Sequence, residues 1–196
     1  KEFFANYLIH TSDVTFHMDM NHIEIHRQKA EPWKVTLVDT GETTMTGGRL
    51  KRVKEFINED TFLFTYGDGV ADIDIKALIS RHREAGLDAT VTAVQAPGRF
   101  GSLVFSQDDY ISAFQEKPQG DGGWINGGFF VLEPSVIDLI EGDHIIWEKE
   151  PLSSLCDEGL LAAYRHNGFW QPMDTLRDSQ YLEKLWTTGN APWKSW

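Results

Sequence analysis

Residues 61–69 read TFLFTYGDG, an apolar run that ends in a single carboxylate, Asp68, held between two glycines. Nearly continuous apolar residues predict a strand that is buried on both faces. In open α/β sheets, ligands bind beyond the carboxyl ends of the strands, and glycines let a ligand approach the backbone closely. Asp68 is therefore either a ligand-binding carboxylate or a turn residue that hydrogen-bonds its own backbone.

Segments that favour strands and segments that favour helices alternate along the rest of the chain. This order predicts an α/β fold with a mixed, mainly parallel sheet, with some antiparallel pairing among the strands between 102 and 132. Predicted strands lie at 35–38, 61–65, 89–94, 102–106, 111–116, 127–132 and 160–165, and predicted helices lie at 49–57, at 72–86 and from Pro134, Pro151 and Thr175.

Residues 14–18 and 22–27 alternate apolar and polar side chains around the turn DMN, which predicts a β-hairpin. The apolar side of this hairpin favours a role in oligomerisation for residues 12–30 or so. Four histidines cluster around it, namely His10, His17, His22 and His26. They form either a solvated or interface surface, which we favour, or a metal site.

Length and charge restrict the function. The 196 residues suit a single domain, 1–196, whose core is large enough to need no disulfide. The net charge of −12 argues against a nucleic-acid binder, which would carry a basic stripe. No apolar run approaches the ~20 residues that cross a membrane. An acidic chain can still bind phosphorylated molecules through a divalent cation or a few placed Lys and Arg residues.

The single cysteine, Cys156, cannot form an intramolecular disulfide. It lies in PLSSLCDEGL, a predicted helix with no partner base nearby in sequence. We therefore expect a buried or half-buried thiol and not a nucleophile.

Three further polar residues follow or enter strands. Lys117 lies in QEKP at 115–118, Asn126 in INGGFF at 125–130, and Asp174 in FWQPMDT at 169–175. Taken singly, they suit a surface lysine, a turn residue and a residue at a helix start. Taken with Asp68, two carboxylates and one lysine suit Mg²⁺ with a bound phosphate.

The set YGDG, QEKP, NGGFFVL and WQPMDT resembles the sugar-1-phosphate nucleotidylyltransferases, and residues 31–53 are similar to their cytidylyl-transferring branch. The resemblance covers essentially the whole chain and implies a Rossmann-like, three-layer nucleotide-diphospho-sugar transferase fold. That family begins with a strand and a Gly-rich loop that wraps the nucleotide triphosphate. No such loop occurs in this sequence, so we expect a fragment that lacks the N-terminal part of the domain.

The resemblance implies a reaction in which the phosphate of glucose 1-phosphate attacks the α-phosphorus of CTP, giving CDP-glucose and pyrophosphate. It also implies roles for eight residues. Asp68 and Asp174 would hold Mg²⁺ beside the nucleotide, and Thr44 and Arg49 would contact the nucleotide. Lys117 would bind the sugar phosphate, and Glu116 would bind the sugar hydroxyls. Asn126 and Gly127 would contact the sugar.

The resemblance further implies a cytoplasmic homo-oligomer, such as a hexamer, that supplies a CDP-sugar for lipopolysaccharide O-antigen biosynthesis. Two alternatives remain open from the residues. The D-x-D pattern at 72–74 also occurs in metal-dependent glycosyltransferases, although Asp72 suits the N-cap of the following helix. A truncated chain could instead bind a sugar phosphate without catalysis.

Overall fold

The computed structural model describes residues 1–28, 31–57, 60–96, 102–105, 110–115 and 123–195. Residues Lys1–Thr40 form one unit and Gly41–Trp196 form a second. The predicted hairpin falls within the first unit, and the predicted site residues fall within the second. The assignment of the whole chain to one domain stays a prediction.

The first unit consists of two short helices, α1 (Glu2–Ala5) and α2 (Tyr7–Thr11), followed by a hairpin of β1 (Ser12–His17) and β2 (His22–Gln28). The predicted hairpin is confirmed, and Asn21 adopts the positive φ of 48° that its tight turn requires. One face of the hairpin is apolar and exposed, because Val14 pairs with Ile25 and Phe16 with Ile23. A role of this face in oligomerisation stays a prediction.

The second unit alternates strands and helices. Its elements are α3 (Thr46–Arg52), β3 (Phe62–Thr65), β4 (Gly69–Ala71), α4 (Ile75–Ala85), β5 (Ala89–Gln95), β6 (Ser102–Phe105), β7 (Ile111–Gln115), β8 (Trp124–Leu132), α5 (Glu150–Asp157), β9 (Leu161–His166), β10 (Trp170–Pro172) and α6 (Leu176–Thr187), with 3₁₀ turns at Lys54–Phe56 and Pro134–Leu139. Within the described ranges, no helix combines the length and the apolar character needed to span a bilayer.

The central sheet has the strand order β3-β8-β5-β9. Strand β8 is antiparallel to both β3 and β5, whereas β5 and β9 are parallel. Strands β3, β5 and β9 therefore run in one direction with β8 reversed between them. This arrangement confirms the predicted mixed α/β sheet and places the antiparallel strand at its centre.

Helices cover both faces of this sheet, which makes the predicted three layers. On one face, Phe130 and Leu132 of β8 pack with Trp147 and with Leu155 of α5 in the main apolar core. On the other face, α4 contacts β5, β8 and β9. Its buried His82 hydrogen-bonds the hydroxyl of Thr90 on β5 at 2.9 Å. The alternation of side chains along β8 explains why one strand supplies both core faces.

Three predictions about strands are wrong or incomplete. Strand β3 is at the edge of the sheet, and Leu63 is 52% exposed, so this strand is not buried on both faces. The segment 35–38 forms no strand. Strands β6 and β7 pair with each other as a separate hairpin and not within the main sheet. An apolar run predicts a strand, but its neighbours in the sheet depend on contacts distant in sequence.

The predicted starts of α4, α5 and α6 lie close to those observed, with one correction. The helix predicted at 49–57 is instead α3, which ends at Arg52 and is followed by a 3₁₀ turn, and the helix predicted after Pro134 is a 3₁₀ turn. Helix α4 begins after Asp74, whose carboxylate accepts a hydrogen bond from the Ala77 N–H at 2.9 Å, so Asp72 is not its N-cap. Gly86 ends α4 with a φ of 61°. Thr175 starts α6 with a capping box that it forms with Asp178.

Cys156 is exposed on α5, which corrects the expectation of a buried or half-buried thiol. The apolar face of the short α5 helix is formed by Leu152 and Leu155, which pack on the core. Cys156 follows Leu155 directly, and neighbouring positions on a helix point to different sides.

The N-cap of α4 leads to a first prediction. Replacing Asp74 with Ala removes the acceptor for the Ala77 N–H and should lower the free energy of unfolding by about 1 kcal/mol. Urea denaturation followed by circular dichroism measures this change. Asp74→Asn keeps an acceptor oxygen and is the matched control. Equal losses in the two variants would contradict the cap.

Glu133 leads to a prediction about acid stability. Its carboxylate accepts hydrogen bonds from the Thr61 hydroxyl at 2.6 Å and from the His82 ring at 3.0 Å, and these bonds lower the pKa of Glu133. A carboxyl group whose pKa is lowered by folding stabilises the fold above its unfolded pKa of about 4.3. That stabilisation is lost as the pH falls through the folded-state pKa.

Glu133→Gln should therefore melt below the wild type at neutral pH, and the difference should shrink as the pH drops below about 4.3. Thermal melts in a series of buffers from neutral pH to about pH 3 measure it. A difference that stays constant over this range would show that the charge of Glu133 contributes nothing.

Candidate functional site

A pocket of about 150 Å³ opens where β3 ends, beside the two-stranded ribbon of β4 and β10. Four of the residues predicted from the sequence line it, namely Asp68, Asn126, Gly127 and Asp174. Tyr66 and Trp170 also contribute to its wall. Residues from distant parts of the sequence therefore meet at the strand end that the TFLFTYGDG segment predicted.

The ribbon brings the two predicted metal-binding aspartates together. Asp68 immediately precedes β4, and Asp174 follows β10 closely. The strands are antiparallel with Gly69 opposite Pro172, and the Met173 N–H donates to the Asp68 carbonyl at 2.7 Å. Asp68 and Asp174 consequently lie at the same end of the ribbon, on one pocket.

The far end of the ribbon is fastened by a buried histidine. His166, 8% exposed at the end of β9, pairs through Nε2 with the carboxylate of Asp72 at 3.0 Å. The Asp72 N–H donates to the Phe169 carbonyl at 3.1 Å. Asp72 therefore holds the ribbon in place, and Asp74 caps α4, so both carboxylates of the D-x-D pattern have structural partners.

Asn126 and its glycines form the opposite wall. The Gly128 N–H donates to Asn126 Oδ1 at 2.8 Å, and Asn126 Nδ2 donates to the Tyr66 hydroxyl at 3.0 Å. Gly128 has a φ of 79°, and a Cβ at this position would lie 2.6 Å from the Tyr66 ring. The glycine at this position thus leaves room for Tyr66 beneath the pocket wall.

Trp170 joins the ribbon to this wall. Its indole N–H donates to the Gly127 carbonyl at 2.8 Å, and its half-buried ring lines the pocket. The sequence left open whether Trp170 lines a pocket or packs. The structure shows that it does both, because the indole edge is hydrogen-bonded while part of the ring stays accessible.

Sequence reasoning missed Tyr66 and Glu148. Burial, together with the neighbouring Glu148 carboxylate, strongly raises the pKa of Tyr66. The hydroxyl therefore remains protonated at neutral pH. Tyr66 stands in the quoted YGDG stretch, but nothing in its surroundings in the sequence pointed to Glu148.

The predicted nucleotide contacts lie elsewhere, on α3 and the loop before it. Thr44 is 6% exposed, and Arg49 donates through Nη2 to the Glu42 carbonyl at 3.1 Å. Neither residue is among the described residues that line the pocket. Gly48 lets α3 pack closely, since a Cβ there would lie 2.6 Å from the Asp143 backbone. The nucleotide role of Thr44 and Arg49 stays a prediction.

Glu116 and Lys117 lie outside the described residues. Their assignment to the sugar hydroxyls and the sugar phosphate therefore stays a prediction.

The pocket fits a magnesium ion by the chemistry of its donors. Mg²⁺ prefers oxygen ligands and is commonly held by one or two carboxylates together with waters and substrate phosphates. Asp68 and Asp174 supply two carboxylates to one pocket. Within the part of the chain that the structure describes, no cluster of three or more His, Cys, Asp or Glu side chains offers a complete metal site.

Comparison with known proteins identifies relatives of this chain. Over its whole length the chain is 62% identical to the glucose-1-phosphate cytidylyltransferases of Salmonella typhi and Salmonella typhimurium (strain LT2), and it spans 76% of each. The crystal structure of HddC from Yersinia pseudotuberculosis shares the fold, with a TM-score of 0.53 at 24% identity. That match covers 71% of this chain and 61% of HddC, so this chain spans less than two thirds of HddC.

The family model described as nucleotidyl transferase matches residues 5–171. This match covers most of the chain, including the ribbon residues up to Gln171, and it confirms the resemblance that the sequence motifs indicated. The chain belongs to the nucleotidyl transferase family.

Proposed function

We propose that this chain transfers a cytidylyl group from CTP to α-D-glucose 1-phosphate, giving CDP-glucose and pyrophosphate. The observation that carries the proposal is the meeting of Asp68, Asp174, Asn126 and Gly127 in one pocket of a chain that is 62% identical to glucose-1-phosphate cytidylyltransferases. The carboxylates of Asp68 and Asp174 suit a metal ion with a bound phosphate, and the Asn126 amide with the Gly127 backbone opposite them suits a sugar.

The main obstacle to this reaction is the repulsion between two phosphate groups. Mg²⁺ bound to Asp68 and Asp174 would screen this repulsion and polarise the α-phosphate of the nucleotide. The sugar phosphate is itself the nucleophile, so the protein supplies position and fixed charge and no attacking group. Lys117 would add positive charge at the sugar phosphate.

The remaining residues have binding roles in the proposal. Asn126 and Gly127 would contact the sugar, Glu116 would accept hydrogen bonds from its hydroxyls, and Thr44 and Arg49 would contact the nucleotide.

We further propose Mg²⁺ as the ion, a cytoplasmic location, and assembly into a homo-oligomer such as a hexamer through the hairpin Ser12–Gln28. The CDP-glucose would supply O-antigen synthesis.

The glycosyltransferase alternative is disfavoured by the contacts of the D-x-D pattern. In such an enzyme both carboxylates would face a metal ion and a nucleotide sugar. Here Asp74 caps α4 and Asp72 pairs with His166.

The direct test is release of pyrophosphate from CTP with glucose 1-phosphate and Mg²⁺, compared with UTP and dTTP. It is run on this chain. Pyrophosphate release with CTP supports the proposal. Turnover of a CDP- or UDP-sugar onto an acceptor would support the glycosyltransferase, and binding of glucose 1-phosphate without turnover would support a non-catalytic domain.

Asp68→Asn and Asp174→Asn should each lower kcat by about 100-fold or more, because each removes a charged ligand for the ion. Pyrophosphate release over a Mg²⁺ titration measures this loss, and circular dichroism checks the fold. Asp157→Asn, at an exposed position on α5, is the matched control and should leave kcat unchanged. Wild-type activity in Asp68→Asn would remove that residue from the site.

Lys117→Ala should raise KM for glucose 1-phosphate about tenfold or more, because it removes a charge-assisted hydrogen bond to the phosphate. Lys76→Ala, at an exposed position on α4, is the matched control. Steady-state kinetics at saturating CTP measure both variants. Equal KM values for Lys117→Ala and the wild type would identify Lys117 as a solvated surface residue.

A further inference from the structure

Two sets of hydrogen bonds approach each other between the pocket wall and the start of α3. On the pocket side Asn126 donates to the hydroxyl of Tyr66, and on the α3 side Thr46 donates to the carboxylate of Glu148. Glu148 is near enough to Tyr66 to raise the pKa of its hydroxyl, after burial, which is the larger cause. These four side chains come from β8, from the end of β3, from the loop before α5 and from α3. A backbone N–H donates at the outer end of each set, and it fixes the direction of the bonds in that set.

At the pocket end, the backbone N–H of Gly128 can only donate, so the atom of Asn126 that it meets at 2.8 Å is the carbonyl oxygen. The amide nitrogen of Asn126 therefore faces Tyr66 and donates to its hydroxyl at 3.0 Å. The hydroxyl oxygen of Tyr66 is therefore the acceptor in this bond, and Asn126 is the donor.

At the other end, the backbone N–H of Trp147 donates to the Thr46 hydroxyl at 2.9 Å. Thr46 then donates its own proton to Glu148 Oε2 at 2.7 Å. The bonds from Gly128 to Asn126 and from Asn126 to Tyr66 therefore each have a single direction. A flipped Asn126 amide would bring its NH₂ group against the Gly128 N–H, so that two donors would face each other.

This fixed direction decides what Asn126 offers to a ligand. Its carbonyl oxygen already binds Gly128, and one amide N–H binds Tyr66. Within the described ranges, the second amide N–H has no protein acceptor, and Asn126 lines the pocket. Asn126 thus presents a hydrogen-bond donor to an oxygen in the pocket.

We propose that Tyr66 is a positioning residue that helps to orient the Asn126 amide so that it donates to a hydroxyl oxygen of the sugar phosphate. The proposal rests on the proposed function and deepens it. A neutral hydroxyl suits this wall, because the carboxylates of Asp68 and Asp174 line the same pocket and repel a phosphate that carries no cation.

The ring of Tyr66 is held independently of its hydroxyl. Its centroid lies 6.0 Å from Phe64 and 5.9 Å from Phe130, and Gly128 leaves space for its edge. Tyr66→Phe therefore keeps the packing and removes only the hydroxyl. Tyr181→Phe, at an exposed position on α6, is the matched control.

Steady-state kinetics provide the first test. Tyr66→Phe should raise KM for glucose 1-phosphate about fivefold to tenfold with kcat within about twofold, the size expected when an oriented hydrogen bond is lost. Tyr181→Phe should leave both constants unchanged. The inhibition constant of inorganic phosphate should also be unchanged in Tyr66→Phe, and a rise equal to that in KM would overturn the assignment to a sugar hydroxyl.

A double-mutant cycle separates positioning from a general effect on the fold. If Tyr66 acts through Asn126, then Tyr66→Phe should have no further effect on KM in the Asn126→Ala background. If the fold-change in KM of the double variant instead equals the product of the fold-changes in the two single variants, the proposal is overturned.

A measurement without turnover distinguishes failure of this proposal from failure of the proposed function. NMR spectroscopy measures the hydrogen-exchange rate of the Asn126 side-chain amide in the protein without substrate. The signals are assigned by their absence from the spectrum of Asn126→Ala. Exchange should be several-fold faster in Tyr66→Phe than in the wild type, and equal rates would overturn the positioning role. A wild type that makes no CDP-glucose would overturn the proposed function and the sugar assignment, while the NMR comparison still decides the role of Tyr66.

Discussion

The antiparallel pairing of β4 with β10 is the constraint on which the site depends. Two carboxylates repel each other, and separate flexible loops would place them apart. The backbone bond from Met173 to the Asp68 carbonyl and the pairing of Gly69 with Pro172 hold Asp68 and Asp174 at one end of the ribbon. A bound cation would offset the repulsion between the two carboxylates. Their close approach, which is unfavourable without a cation, therefore makes a cation-binding site.

The reversed strand β8 completes the pocket and joins it to the core. Its last residues, Phe130 to Leu132, are buried, whereas Asn126 and Gly127 near its start line the pocket. Trp170 bonds to the Gly127 carbonyl and Tyr66 bonds to Asn126, so the ribbon and the edge strand both contact the same short stretch. Core packing at one end of β8 thereby fixes the geometry of the pocket at the other.

Patterns short enough to act locally were predicted well from the sequence. The hairpin around Asn21, the stop of α4 at Gly86 and the start of α6 at Thr175 all follow from residues within a few positions of one another. Predictions that depended on distant neighbours were less reliable. The edge position of β3 and the pairing of Asp72 with His166 each follow from contacts between distant parts of the chain that no local pattern encodes.

The sequence by itself determined the fold class, the family and four residues of the pocket, because strand periodicity and the motifs around Asp68, Asn126 and Asp174 are local features of the chain. Only the tertiary structure decided the partners of those residues. Tyr66 and Asn126 are far apart in sequence, yet the bonds of Asn126 to Gly128 and Tyr66 fix which atom of Asn126 faces the pocket. The direction of a hydrogen bond depends on where donors and acceptors meet in space, and that is set by the pairing of β3 with β8.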